Sequence, residues 1–242
     1  MSSSQGNAPE RVLVFIPSFG DAVALPRLQK AIAALGPRYW TLIVDDGSAD
    51  PLVRPTGDRC LLVRLPANFG LGVSLDIAFA HVLGHDYGVL VRIDADGQHA
   101  VHDIPTMVAA IEGGDADLAV GVRVNQGEPE MRGSIARRVL KAYFRFLARV
   151  VTRGAAPADV NSGFFAVRRE AISVLRRTRF ERFPEPELYV AACVANLKVT
   201  SVAVNQQVRE DGRSTLDLIA AARMLFRFNI YAVGHLLRRI RR

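Results

Sequence analysis

Four times in the first hundred residues, a short apolar run ends abruptly in a cluster of acids, glycines and small polar residues. RVLVFI runs into PSFGD, TLIV into DDGSAD, CLLVRL into PANFGLG, and YGVLVRI into DADGQH. Helical periodicity fills the gaps. ALPRLQKAIAALG stops at Gly36, and LGVSLDIAFAHVLG places Leu71, Leu75, Ala78, Phe79 and Val82 close to one face. IPTMVAAIEGG follows the fourth run as a short helix, and ADLAVGVRV reads as a fifth strand. Strands that alternate with helices imply βαβ units and a parallel sheet. The chain is therefore expected to be α/β, with a mostly parallel, Rossmann-like central sheet flanked by helices. In such sheets ligands bind outside the carboxyl ends of the strands. The four polar clusters should converge on that edge, where a nucleotide would sit.

The fourth cluster carries the sharpest chemistry. In extended chain, residues i and i+2 point the same way, so Asp94 and Asp96 share a side. Two hard oxygen ligands in that arrangement suit Mg2+ or Mn2+, with substrate phosphates completing the shell. Asp-x-Asp and Asp-Gly are also ordinary turn signals. Here the pattern does not stand alone, because VDDGSAD, NFGLG and DADGQH follow one another in order, each after a strand. His99 reads as a solvated loop histidine. His81, His85, His102 and His235 show no metal-ligand spacing.

Composition bounds the alternatives. Half of the 242 residues are hydrophobic and the mean hydropathy is +0.15, which excludes a wholly disordered chain. Residues 1–10 form a polar tail without the apolar core of a signal peptide. No apolar run reaches the roughly 18–20 residues needed to span a bilayer. Cys60 and Cys193 lie in apolar surroundings, as expected of buried thiols in a reducing compartment. The net charge of +7 hides an asymmetry: residues 1–122 hold 8 Lys/Arg against 14 Asp/Glu, and residues 123–242 hold 23 against 10. In SIARRVLKAYFRFLARVV, Ile135, Val139, Tyr143, Phe146 and Val150 share a helical face, with Arg138, Lys141, Arg145 and Arg149 largely opposite. After Asp217 there is no acid at all, and the chain ends in Arg238, Arg239, Arg241 and Arg242. Basic amphipathic segments of this kind suit an anionic membrane surface. Core packing or a homo-oligomer interface is the alternative. A nucleic-acid partner is not expected, because the basic segments are interleaved with aliphatics and no nucleic-acid module appears.

The pieces VFIPSFGD, IVDDGSAD, NFGLGVSLDIAFAH, RIDADGQH, DVNSGFFAVRRE, FPEPELYVAA and VREDGRST span residues 14 to 215 in that order. Together they resemble inverting glycosyltransferases of family 2, which have a GT-A fold. The branch they look closest to includes dolichyl-phosphate mannose synthases and bacterial polyprenyl-phosphate and polysaccharide glycosyltransferases. The resemblance implies a GT-A domain over residues 11–215 and a basic amphipathic helical segment over 216–242. It implies metal-dependent transfer of a sugar from a UDP- or GDP-sugar to a lipid-linked or polysaccharide-precursor acceptor. The place implied is the inner face of the cytoplasmic membrane, with the protein bound peripherally. A non-catalytic nucleotide-sugar binder on the same fold is the alternative, against which the intact Asp94/Asp96 pair argues.

The resemblance also assigns roles. Pro17 and the loop after it, with Asp21, would shape the base pocket. Asp46 would contact the base or ribose with Asp45 beside it, and Asn68 and Gly72 would complete the donor side. Asp94 and Ala95 would lie near the ribose and metal, Asp96 would bind the metal, and Gln98 would follow it. Asn161, Ser162, Gly163 and Phe164 would line the sugar and acceptor region. Glu187 matches the acidic residue before a helix, with Glu185 as the competing register. Arg209, Arg213 and Ser214 would close over the phosphates. A hydroxyl acceptor would need a general base, for which Asp159 and Glu187 are candidates, whereas a phosphate acceptor is already anionic and would need none. The chain departs from the family pattern at Phe19-Gly20-Asp21, where many members carry an Asn-Glu pair, and at Asp76, where a small residue or Asn is frequent.

Overall fold

A computed structural model describes residues 10–20, 23–53, 57–97, 99–123, 135–178, 180, 184–205 and 218–240. Its centre is a seven-stranded sheet built from β1 (Val12–Ser18), β2 (Tyr39–Asp45), β3 (Cys60–Arg64), β4 (Val89–Arg92), β5 (Leu118–Arg123), β6 (Phe165–Arg168) and β7 (Val199–Val204). The spatial order is β3-β2-β1-β4-β6-β5-β7. β1 pairs in parallel with β2 and β4, β2 with β3, and β5 with β7. β6 runs antiparallel between β4 and β5. The fifth strand of the sequence is therefore not the neighbour of the fourth; the GFFAVR run is inserted between them.

The helices are α1 (Leu25–Ala34), α2 (Leu71–Gly84), α3 (Ile104–Glu112), α4 (Ile135–Thr152), α5 (Arg169–Leu175), α6 (Glu185–Val194) and α7 (Leu218–Ile240). Proline occupies the first turn of α1, α3 and α6, where its missing N–H costs nothing and its fixed φ suits a helix start.

Strands buried on both faces explain the continuous apolar runs. Alternate residues of β1 feed two cores, as the period of two requires. Leu13 and Phe15 join Leu42, Val44, Leu75, Phe79, Phe144 and Tyr189 on one face of the sheet. Val12, Val14 and Ile16 join Ile32, Ile43, Val91, Met107 and Ile111 on the other.

α7 packs on this domain through Phe228 and Ala232, both buried. Phe228 meets Phe144 of α4 edge-on at 5.2 Å, and the Tyr143 hydroxyl donates to Asn229 Oδ1 at 2.5 Å. The core face of α4 is Phe144, Ala148 and Val151, whereas Val139, Phe146 and Val150 of the expected apolar stripe point to solvent. α4 thus buries one part of its apolar arc and exposes the rest. Cys60 and Cys193 are free and half-buried rather than fully buried, and burial pushes both thiols up to about 11.

Candidate active site

The carboxyl ends of β3, β2, β1 and β4 lie side by side, so the first four polar clusters form one edge. Backbone and side-chain hydrogen bonds stitch them together. Asp46 N–H donates to the Ser18 carbonyl at 2.9 Å, and the Ser48 hydroxyl accepts Gly20 N–H at 2.9 Å. Buried Asp45 accepts Ser48 N–H at 2.9 Å and faces Arg64 at 3.4 Å. Asp46 accepts the N–H groups of Phe69 and Gly70, one on each oxygen, both at 2.8 Å. Asp46 therefore clamps the NFG loop at the start of α2. Gly47 has φ +76°, and a Cβ there would come within 2.4 Å of the Ala67 carbonyl carbon, so the DDGS turn admits only glycine at this approach. Pro17 and Asn68 are half-buried on this edge and Gly72 is buried in the first turn of α2.

Beyond β4 the chain turns through Asp94, Ala95, Asp96 and Gly97, with Gly97 at φ +73°. Ala95 is buried and Asp96 is half-buried. Asp94 is held from two sides: Arg92 donates to Oδ1 at 2.8 Å, and His99 Nε2 lies 3.3 Å from Oδ2. Burial opposes the charge on Asp94, but Arg92 and His99 outweigh it, and the carboxyl is held well below the usual carboxylate range. Gly163 lies directly against this group; a Cβ there would sit 2.4 Å from Asp94 Oδ2. The sequence suggests a solvated His99, but the ring is buried and lies 5.1 Å from that of Phe164. Phe164 closes over it from the Asn161–Phe164 loop, which explains the burial.

The residues expected on the acceptor side come from a different part of the chain. Asp159 accepts Asn161 N–H at 3.0 Å within its own turn. The buried Ser162 hydroxyl donates to the Gly121 carbonyl at 2.7 Å, and Gly121 N–H donates to the Phe164 carbonyl at 2.9 Å. α6 then presents two residues one turn apart. Glu185 accepts from Arg92 at 2.7 Å, and the Tyr189 hydroxyl donates to the Ser162 carbonyl at 2.5 Å. Glu187 turns toward α7 instead: its carboxylate is 3.8 Å from Arg227, and its carbonyl accepts from Tyr231 at 3.3 Å. Burial, together with Glu185, pushes the Glu187 carboxyl up to about 7. The structure therefore brings Glu185 to the Asp94 cluster and aims Glu187 at the C-terminal helix.

Asp21, Gln98, Arg209, Arg213 and Ser214 lie outside the described residues. Asn205, just before the VREDGRST segment, is anchored by its N–H to Asp103 at 2.6 Å. Asp76 is on the surface of α2 and forms a two-pronged pair with Arg176 at 2.8 and 3.2 Å. The residues that sequence reasoning missed are Arg92, His99 and Tyr189. Arg92 had a signal: a lone charge inside the apolar run VLVRI must be paired if the strand is buried.

No cluster of three metal-ligating His, Cys, Asp or Glu residues exists among the described residues. The hard donors this turn offers are the carboxylates of Asp94 and Asp96, with the Asp94 oxygens also engaged by Arg92 and His99. Hard carboxylates plus substrate phosphates match how Mg2+ and Mn2+ are held, and thiolate or imidazole metals fit poorly.

An open α/β sheet with acid-bearing loops gathered at the carboxyl ends of its strands places a ligand crevice at that edge, as in α/β proteins of this class. The comparisons narrow the class. The model of Glycosyl transferase family 2 matches residues 13–176, and the chain belongs to that family. Over 174 residues it is 33% identical to polyprenol monophosphomannose synthase of Mycolicibacterium smegmatis, covering 67% of this chain and 63% of that protein. Over 177 residues it is 29% identical to undecaprenyl-phosphate 4-deoxy-4-formamido-L-arabinose transferase of Klebsiella pneumoniae, covering 69% and 51%. The matched part thus spans between half and two thirds of these relatives. Among solved structures, glucosyl-3-phosphoglycerate synthase of Mycobacterium tuberculosis, in complex with Mn2+, UDP and phosphoglyceric acid, superposes with a TM-score of 0.68 at 18% identity. That match covers 96% of this chain and 78% of that one, and it shows the shared GT-A fold.

Proposed function

We propose that the protein is a metal-dependent inverting glycosyltransferase that moves a sugar from a nucleoside-diphosphate donor to a polyprenyl phosphate acceptor at a membrane surface. Family membership and the acid-bearing strand edge support the donor half. Asp45 and Asp46 brace the base side, and Asp96 would hold Mg2+ or Mn2+, whose charge would stabilise the departing nucleoside diphosphate.

The observation that carries the acceptor half is the state of the acids around Asp94. Glu185 is ion-paired to Arg92, and Asp94 is held firmly ionised between Arg92 and His99. Asp159 is tied to its own turn, and Glu187 faces α7. A hydroxyl acceptor must lose a proton to a base within hydrogen-bond reach, and among the described residues Asp94 and Glu185 are committed to ion pairs while Glu187 is turned toward α7. A phosphate acceptor arrives already ionised and attacks in one displacement. The M. smegmatis and K. pneumoniae relatives, named for polyprenol and undecaprenyl phosphate, support the same acceptor class.

A membrane site is supported by the outer faces of α4 and α7. No described helix is long and apolar enough to cross a membrane. Neither α4 nor α7 contains an acid, and Phe146 and Phe226 are 65% and 68% exposed.

A thermal-shift panel of UDP- and GDP-sugars with and without Mn2+ tests the donor half, since a ligand that binds only the folded state raises its melting temperature. A metal-dependent shift with one nucleotide family is expected, and Asp96→Ala should abolish it without unfolding the protein. The absence of any shift in the wild-type protein overturns the assignment. Transfer of sugar to a polyprenyl phosphate, with none to a plain alcohol of the same chain length, tests the acceptor half.

A further inference from the structure

Arg92 is 3% exposed at the end of β4. Its guanidinium forks, with Nη2 on Asp94 of the donor turn at 2.8 Å and Nη1 on Glu185 of α6 at 2.7 Å. Its Nε is buried without a hydrogen-bond acceptor among the described residues, and the group lies 5.8 Å from the centre of the Phe165 ring. The residues it joins are 91 positions apart, and nothing in the architecture of the sheet requires the bridge. Pairing a buried cation with two acids is costly compared with apolar packing, so as a device for stability alone this is a poor choice. Its geometry does something else. A planar fork fixes two carboxylates at a set separation and angle, which a flexible ammonium cannot do.

We infer that Arg92 is a positioning residue for the reaction proposed above: it fixes the Asp94 carboxylate against Gly163 and His99, and couples the donor turn to the acceptor-side helix α6 through Glu185. The two halves of the site come from different segments, one from the DADG turn and one from α6 and the Asn161–Phe164 loop. Arg92 is the described side chain that bonds to both. Tyr189 also bonds Ser162, and Gly163 packs directly against Asp94, so the loop, the helix and the turn form one connected cluster with Arg92 at its centre. With Asp94 immobilised, the backbone of the turn is held and Asp96, two residues on, is presented to the donor in one orientation.

The test uses the full chain and two readouts: the Mn2+-dependent affinity for UDP or GDP, whichever the wild type binds, and sugar transfer. Arg92→Lys keeps the charge and loses the fork. It should remain folded, weaken Mn2+-dependent nucleotide binding at least 10-fold, and lower kcat, while metal-free nucleotide binding changes less than threefold. Glu185→Gln, which leaves the donor turn chemically intact, should also weaken Mn2+-dependent nucleotide binding. The effects of Asp94→Asn and Glu185→Gln should be non-additive, the double variant losing less than the product of the two single losses. A folded Arg92→Lys with wild-type Mn2+-dependent affinity and kcat overturns the inference. Should Arg92→Lys fail to fold, strict additivity of the Asp94→Asn and Glu185→Gln effects overturns it instead. A wild-type protein that shows no metal-dependent nucleotide binding overturns the donor assignment itself, an outcome distinct from failure of the Arg92 coupling.

Discussion

The Tyr189 hydroxyl donates to the main-chain carbonyl of Ser162 at 2.5 Å, wholly out of solvent. This bond joins α6 to the loop that carries Asn161, Gly163 and Phe164, and the Tyr189 ring stands edge-on to Phe165 at 6.3 Å. Tyr189→Phe keeps the ring and strands a buried carbonyl. Leaving such a group unsatisfied costs about 1–3 kcal/mol, which for a domain of this size lowers Tm by roughly 2–4 °C per kcal/mol. Calorimetry of the variant should show that loss. A Tm equal to wild type would mean the Ser162 carbonyl finds another donor.

Asp46 offers a sharper discrimination. The family resemblance makes it a base or ribose contact, whereas both of its oxygens bond main-chain N–H groups of Phe69 and Gly70. Asp46→Asn replaces one acceptor oxygen with an NH2 that faces an N–H. The expected cost is about 1–3 kcal/mol of stability, together with weaker nucleotide binding, because the NFG loop is freed at the start of α2. Urea unfolding and nucleotide titration on the same sample check this. Weaker binding at unchanged stability would make Asp46 a donor contact and not a clamp.

These two residues show what could be read from the chain alone and what could not. The strand–cluster repeats located β1 to β5, α1 to α3 and the sheet edge where the polar clusters gather, because buried parallel strands and their loops leave local signatures. Asp45, Asp46, Asp94 and Asp96 were placed for the same reason. β6 and β7 left weaker traces. FFAVR is only four residues of strand once folded, and its antiparallel insertion depends on pairing with β4 and β5, which no local pattern encodes. The same limit hid the partners of Arg92. VLVRI announces a buried charge, but Glu185 lies 93 residues away. The choice between Glu185 and Glu187 depended on which face of α6 meets the sheet. α6 is apolar nearly all round, so periodicity could not decide it. On α4 the outer stripe was visible and the inner one, Phe144, Ala148 and Val151, was not, because the apolar residues form one broad arc and the sequence does not say which part of it meets the core.

Glu187 gives a pH signature. Burial, with Glu185 adding to it, pushes its carboxyl up to about 7 from an ordinary 4.5. Between those values the native chain binds a proton that the unfolded chain has lost, so native stability falls as pH rises through that window. At 1.36 kcal/mol per unit, the upper bound is about 3 kcal/mol, reduced by Arg227 at 3.8 Å. Glu187→Gln should therefore be more stable than wild type at pH 8 and close to it at pH 4.5. Urea unfolding across pH 4.5 to 8 checks this, and parallel curves for the two proteins would place Glu187 in a wetter site than the structure gives.

The outer faces of α4 and α7 make the last prediction. Val139, Phe146, Phe226, Ile230, Val233 and Leu237 are all exposed, on two helices that carry basic residues and no acids. α7 is held to the domain from its other side by Phe228 and Ala232, so this surface is presented without unfolding anything. Apolar residues seated in the headgroup region and lysines or arginines near anionic lipid act together, the latter at roughly 1 kcal/mol each. Vesicles containing a third phosphatidylglycerol should bind the protein in a salt-sensitive manner, and neutral phosphatidylcholine vesicles should bind it far less. Phe146→Glu combined with Phe226→Glu alters only exposed side chains, so the fold should hold while anionic vesicle partitioning falls at least 10-fold. Transfer to a polyprenyl phosphate embedded in those vesicles should fall with it, whereas transfer to a short, water-soluble prenyl phosphate should not. Equal partitioning of the double variant and wild type would leave this face to a second copy of the chain, which sedimentation of the wild-type protein would then reveal as a dimer.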